Sequence, residues 1–151
     1  MTLKERINED LKAAMKSGNK PRLETIRAIK KEIIEKETAE KRTSRGDLAP
    51  EEELEVLMSM AKRRRDSIEQ FNAAARADLA EIEANDLKVL EEYLPAQMSE
   101  ADVEAAVVRV IAQTGSASAK DAGKVMGMLM KELKGKADGT LVQKLVKEKL
   151  P

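Results

Sequence analysis

The sequence predicts an all-α protein, and three of its features carry that prediction. Apolar residues recur at every third or fourth position through most of its 151 residues and nowhere alternate as they would along a half-buried strand. The apolar set is drawn from Leu, Ile, Val, Met and Ala; aromatics come to 1%, namely Phe71 and Tyr93, while charged residues reach 37%. That balance fills amphipathic helices, not sheets. Glycine, proline and small polar residues then break the periodic stretches into segments of helix length. The expected arrangement is an antiparallel bundle of about four helices over residues 1–95, followed by a small three-helix domain over residues 96–151. A unit of that second size is close to the limit at which a lone core becomes marginal.

Each element has its own signals. Thr2 and Glu5 have the spacing of a capping box, in which each side chain satisfies an orphan amide at a helix start. Leu3, Ile7, Leu11, Ala14 and Met15 follow at helical spacing. Gly18-Asn19 ends this helix, and Pro21 suits the first turn of the next. The second helix carries Leu23, Ile26, Ile29, Ile33 and Ile34 and fades into residues 38–50, TAEKRTSRGDLAP, which have no apolar period and read as an exposed, mobile connection. A third helix begins near Pro50, where Glu51, Glu52 and Glu53 favour the positive end of its dipole. Its apolar face is Leu54, Leu57, Met58, Ala61, Ile68 and Phe71. Arg64 and Arg65 fall near that face; they either snorkel to its edge or pair with a carboxylate of the acidic fourth helix, and the pairing is favoured.

The fourth helix runs from about Asp78 to Tyr93 with Leu79, Ile82, Val89, Leu90 and Leu94 as core candidates. Pro95 closes the first half, because the residue before a proline is pushed out of the helical region. Pro95 to Gln97 then forms a short joint, readable as a hinge or as a rigid corner. Ser99, with Asp102 three residues on, opens a fifth helix carrying Val103, Ala106, Val107, Val110 and Ile111 and stopping at Gly115. Ser118 opens the sixth, with Asp121 at its third position and Ala122, Met126, Leu129 and Leu133 as its buried stripe; Gly135 is placed as the stop. Asp138 caps the seventh, which carries Leu141, Val142, Leu145, Val146 and Leu150.

Composition bounds the chemistry. There are 28 Lys and Arg against 28 Asp and Glu, so the chain is neutral overall, with no His and no Cys. The usual bases at neutral pH, thiol nucleophiles, disulfides and thiolate or imidazole metal cages are therefore excluded. Neither phosphate-cradling glycine loop, GxxxxGK[ST] or GxGxxG, is present. The carboxylates read as solvated faces and i,i+4 pairs, and no catalytic pair stands out. No cofactor and no metal are expected, and on residue types alone the chain is not an enzyme. The first residues lack an apolar leader and no run approaches a membrane span, so the expectation is a cytoplasmic protein with no membrane partner.

The charge is uneven. From Lys120 onward stand eight lysines, at 120, 124, 131, 134, 136, 144, 147 and 149, against four carboxylates, Asp121, Glu132, Asp138 and Glu148. A basic helix–turn–helix in a neutral chain suggests a polyanion, RNA above others; on charge alone a solvated hairpin is the commoner case. Gly123 and Gly127 share one helix face. The spacing favours close helix–helix packing, the alternative being close approach of a ribose-phosphate backbone beside Lys124. With no aromatic in this region to stack bases, an RNA partner would be held by its structured backbone.

Three stretches, RRRDSIEQF at 63–71, LEEYLP at 90–95 and AGKVMGMLMKELKGKADG at 122–139, together resemble the YqeY-like proteins of the GatB/YqeY family over nearly the whole chain. In that family the C-terminal half is similar to the tail domain of the B subunit of the tRNA-dependent amidotransferase, a helical appendage that helps hold tRNA. The family's motif falls on Lys124, Gly127, Lys134, Gly135, Ala137, Asp138 and Gly139; Lys131-Glu132 departs from the proline-containing pair of many relatives. The resemblance implies an all-α two-part fold and a tRNA connection. The activity label that travels with it, carbon–nitrogen ligase with glutamine as amide donor, needs an ATP site and a glutaminase nucleophile that this chain does not have. The reading is a non-catalytic module binding structured RNA, tRNA first, through Lys120, Lys124, Lys131, Lys134 and Lys136, with Gly123, Gly127, Gly135, Asp138 and Gly139 shaping the motif. The alternative is a protein-interaction adaptor docking on an amidotransferase or synthetase component.

Overall fold

The computed structural model describes residues Met1–Pro151 and is all-helical. Seven helices follow in order: α1 (Leu3–Ser17), α2 (Lys20–Glu37), α3 (Pro50–Ala73), α4 (Ala77–Glu91), α5 (Glu100–Thr114), α6 (Ala122–Leu133) and α7 (Gly139–Lys149). The chain divides into two compact units, Met1–Leu94 and Pro95–Pro151.

The first unit is two helical hairpins, α1–α2 and α3–α4, with α2 packed against both helices of the second. Thr2 and Glu5 form the capping box at the start of α1. Gly18 ends α1 in the left-handed region (φ 70°), which costs a glycine nothing. Asn19, read as part of that stop, has a second role: its side chain accepts from the Arg22 amide and caps α2. Ile7, Ala14, Ile26, Ile29, Leu57, Ala61 and Leu90 form the centre of the core. Arg64 bonds Glu83 at 2.9 Å and lies 3.7 Å from Asp86, so the arginine beside the apolar face pairs with α4. Asp86 also accepts from the hydroxyl of Thr25, the one buried polar residue of the core, tying α2 into the same network.

Three residues expected inside lie outside: Met15 (56% exposed), Ile34 (42%) and Ile82 (57%). Met15 and Ile34 each follow a buried residue, Ala14 and Ile33, and the turn of about 100° per residue carries each of them past the edge of its helix's buried stripe. Ile82 stands two positions from buried Ala80, on the far side of α4.

The connection between α2 and α3 also differs from expectation. Most of it is exposed, but Leu48 is buried and the Arg42 side chain sits at its centre, only 8% exposed. Its guanidinium donates to both carboxylate oxygens of Glu52, at 3.0 and 3.1 Å, and to the carbonyls of Gly46 and Asp47. Five donors in a planar fork satisfy loop carbonyls that no regular ladder reaches. The Glu52 carboxyl is pulled down to about 2 from 4.5, first by the Arg42 hydrogen bond and then by the Ala49 amide. A depressed carboxyl stabilises the folded form above its unfolded value and loses that contribution as pH falls from about 4.5 toward 2. Glu52→Gln should therefore flatten the acid limb of the stability curve across that window. It should also raise the rate of limited proteolysis within residues 38–49 at neutral pH; an unchanged cleavage pattern would show that the loop does not depend on this clasp.

In the second unit α5, α6 and α7 pack pairwise around Val103, Val107, Val110, Val125, Leu129, Leu133, Val142, Leu145 and Val146. Ser99 and Asp138 cap α5 and α7 as the sequence indicates, and Gly115 ends α5 at φ 66°. The sixth helix opens differently. Ala119–Asp121 form a single 3-10 turn before α6, and Ser118 makes no capping bond; the Asp121 carboxylate instead accepts from the Ala117 amide at 3.3 Å. The buried series on α6 is Val125, Leu129 and Leu133, four residues apart, with Met126 at its edge.

Candidate nucleic-acid interface

Burying Val125, Leu129 and Leu133 turns the opposite side of α6 outward. By the helical period that side carries Gly123, Lys124, Gly127, Met128 and Lys131, and all five are exposed. Gly123 and Gly127 pack against nothing: a Cβ added at either would meet no atom within 4 Å. The expectation of close helix–helix packing at these glycines is therefore corrected, because the stripe that faces the neighbouring helices is the other one. Gly139 differs, as a Cβ there would touch Met130 at 3.6 Å.

Past α6 the chain reverses over Lys134-Gly135-Lys136. Gly135 is buried at φ 79°, a backbone that suits glycine. Its carbonyl accepts from the Gln97 side-chain amide at 2.7 Å, and the carbonyl of Lys136 accepts from the Met98 amide at 2.9 Å. Gln97, read as part of a joint, is thus pinned to this turn, and its amide also donates to the Pro95 carbonyl. The turn is fixed from inside while Lys134 and Lys136 stand exposed on either side of the buried glycine.

Electrostatics sharpen this surface. Of the four carboxylates in this stretch Glu132 alone is in an ion pair, and Glu148 stands exposed on α7. Glu132 pairs with Arg109 of α5, Glu104 with Lys149 of α7 at 2.7 Å, and Asp121 and Asp138 accept backbone amides. The Arg109 hydrogen bond holds the Glu132 carboxyl below the usual carboxylate range, with a smaller contribution from the Lys136 charge. No ion pair forms at Lys120, Lys124, Lys131, Lys134 or Lys136, and all are exposed. The structure thus brings Lys124, Lys131, Gly123 and Gly127 onto one face of α6, places Lys120 in the 3-10 turn before it and sets Lys134 and Lys136 in the turn after it. Arg109, which removes Glu132 from the balance, was not visible in the sequence; a lone cation on α5 gives no hint of its partner.

Elsewhere chemistry is sparse. In the first unit a cavity of about 60 Å³ is lined by Thr2, Lys4, Ile33, Glu37, Asp47, Leu48 and Glu53. The Lys4 ammonium lies 3.0 Å from Glu37 and 3.1 Å from Asp47, which occupies those carboxylates. Burial, then the charges of Asp47 and Glu37, raise the Glu53 carboxyl. No group of three or more acidic side chains is placed to hold a metal ion, and no helix is long and apolar enough to cross a membrane.

Comparison with known proteins places the chain. The "Altered inheritance of mitochondria protein 41, mitochondrial" of Pyrenophora tritici-repentis is 37% identical over 148 residues, covering 95% of this chain and 78% of that protein. The protein of the same name from Kluyveromyces lactis is 34% identical over 108 residues, covering 70% of this chain and 56% of its own length. These names overturn the expectation of a cytoplasmic protein. The physical signals behind it did not discriminate: a chain without cysteine suits any reducing compartment, and organelle-targeting segments are amphipathic and basic, so the lack of an apolar leader does not exclude them. A family profile described as "Yqey-like protein" matches residues 4–150, every position but the first three and the last, and with a relative more than a third identical over almost the same span, the chain belongs to the YqeY-like protein family.

Proposed function

We propose that the chain is a non-catalytic module whose second unit grips structured RNA, tRNA first, on the α6 face and the turn that follows. The observation that carries this reading is the set of five exposed lysines, none in an ion pair, around a helix face kept bare by two glycines. Lysine is a point charge suited to phosphate, not to planar base edges, and the unit has no aromatic on which to stack a base. A surface of that kind recognises the backbone of a folded RNA by charge and shape.

The test is binding of the pure protein to bulk tRNA over a salt series. The logarithm of affinity should fall linearly with the logarithm of salt, by about 0.7 to 0.9 for each phosphate neutralised. Lys134→Glu/Lys136→Glu should weaken binding and make that slope shallower, and five contacting lysines imply a parent slope of roughly 3 to 5. Equal binding by parent and variant would remove the second unit from the RNA reading, and no binding at low salt would remove RNA altogether in favour of a protein-interaction adaptor.

A further inference from the structure

The first unit carries a second basic surface, at the corner where α1 turns into α2. Between Leu11 and Lys31 the sequence holds seven cations and one carboxylate, Glu24, a stronger imbalance than in the second unit. The fold concentrates it. Gly18 and Asn19 reverse the chain in two residues, so the last turns of α1, with Lys12 and Lys16 one turn apart, adjoin Lys20 at the start of α2. Arg27 shares the outward face of α2 with Lys20. All four are exposed, and none is in an ion pair. The nearby acids are largely engaged: Asp10 accepts from the Tyr93 hydroxyl and Glu92 pairs with Arg22 at 2.6 Å, leaving Glu9 and Glu24 exposed. Helix α2 also begins with Lys20 and Arg22 and has no acidic residue in its first turn, so cations sit at the positive end of its dipole, against the usual preference.

We infer that this corner is a second contact for the phosphate backbone of RNA, so that the chain holds its nucleic acid with both units. The chemistry selects that partner. A lipid surface would need an apolar face to insert, but the apolar face of α1 is buried in the core through Ile7 and Ala14, leaving only Met15 among the lysines. A protein partner would need an aromatic or aliphatic anchor cluster, which the corner also lacks. Unpaired exposed cations with one methionine suit a row of phosphates. The inference takes from the reading above only the identity of the polyanion as RNA; the surface itself lies in the other unit.

The test uses the full chain and bulk tRNA over a salt series. Lys12→Gln/Lys16→Gln/Lys20→Gln is compared with the parent and with a charge-matched control on the same unit, Lys41→Gln/Arg45→Gln/Lys88→Gln. Loss of a linked second contact should weaken binding about a hundredfold at low salt. The slope should become shallower by about 2 to 3, and the control should stay near the parent. Bound tRNA should shield Lys12, Lys16 and Lys20 from an amine-acylating reagent. A triple variant that behaves like the parent, or like the control, would overturn the inference, as would binding of the parent to phosphatidylserine vesicles that the triple variant loses while tRNA affinity is unchanged. Lys134→Gln/Lys136→Gln in the same series separates the two ideas. If that variant binds like the parent while the corner variant fails, the reading of the second unit falls and this one stands.

Discussion

Leu129→Ala should unfold residues 95–151 at temperatures where residues 1–94 remain helical. Leu129 has no exposed surface and sits mid-way along α6 among Val103, Val107, Val125 and Val142. Truncating a leucine so placed removes its transfer energy and leaves a cavity, at about 2–5 kcal/mol. A domain of this size has a stability of about 3–5 kcal/mol from its core, so one substitution removes most of it. Each kcal/mol displaces the midpoint by about 4–8 °C at this length. Calorimetry should show the second-unit transition lowered by roughly 10 °C or more and the first-unit transition unchanged. Met128→Ala, one residue away on the exposed side of the same helix, should change stability by less than about 0.5 kcal/mol. Equal effects of the two substitutions would mean that α6 does not present its Val125 stripe to the core.

The contrast between Leu129 and Met128 also marks where the sequence was informative. Caps and stops are local chemistry, and those at Thr2, Gly18, Ser99, Gly115 and Asp138 stand in the structure as the spacing indicates. Core stripes follow from the helical period, but the period alone leaves edge positions open. The period admits Met126 as readily as Val125, and Met15, Ile34 and Ile82 as readily as their buried neighbours, because which side of a helix meets its partners is a tertiary choice. The loop clasp at Arg42 was illegible for a related reason. Its partners are Glu52 in the first turn of α3 and the carbonyls of Gly46 and Asp47, which a fold of the loop that no periodicity encodes brings together. At the candidate site the five lysines are legible as a count, but not the pairing of Glu132 with Arg109 and of Glu104 with Lys149, which leaves the five lysines without ion pairs. The α1–α2 corner is present in the sequence only as scattered cations, because it takes the reversal at Gly18-Asn19 to bring Lys12 and Lys16 beside Lys20.

Gly123→Ala/Gly127→Ala should make the protein more stable and, on the reading proposed here, a poorer RNA binder. Both glycines lie within α6, have negative φ, and face open space where an alanine methyl touches nothing. Replacing glycine by alanine in a helix interior is worth about 0.5–1 kcal/mol because it lowers the conformational entropy of the unfolded chain. Gly127 is mid-helix and should supply the larger share; Gly123 lies in the first turn and should supply less. Together they should raise the second-unit midpoint by roughly 5–10 °C. On the proposed RNA reading, the bare backbone on this exposed face between lysines serves the close approach of a sugar-phosphate chain. Gly127→Leu should then weaken tRNA binding more than Gly127→Ala, at unchanged salt slope, because bulk and not charge has been altered. Higher stability with undiminished affinity would show that the lysines act alone and the glycines are not a contact.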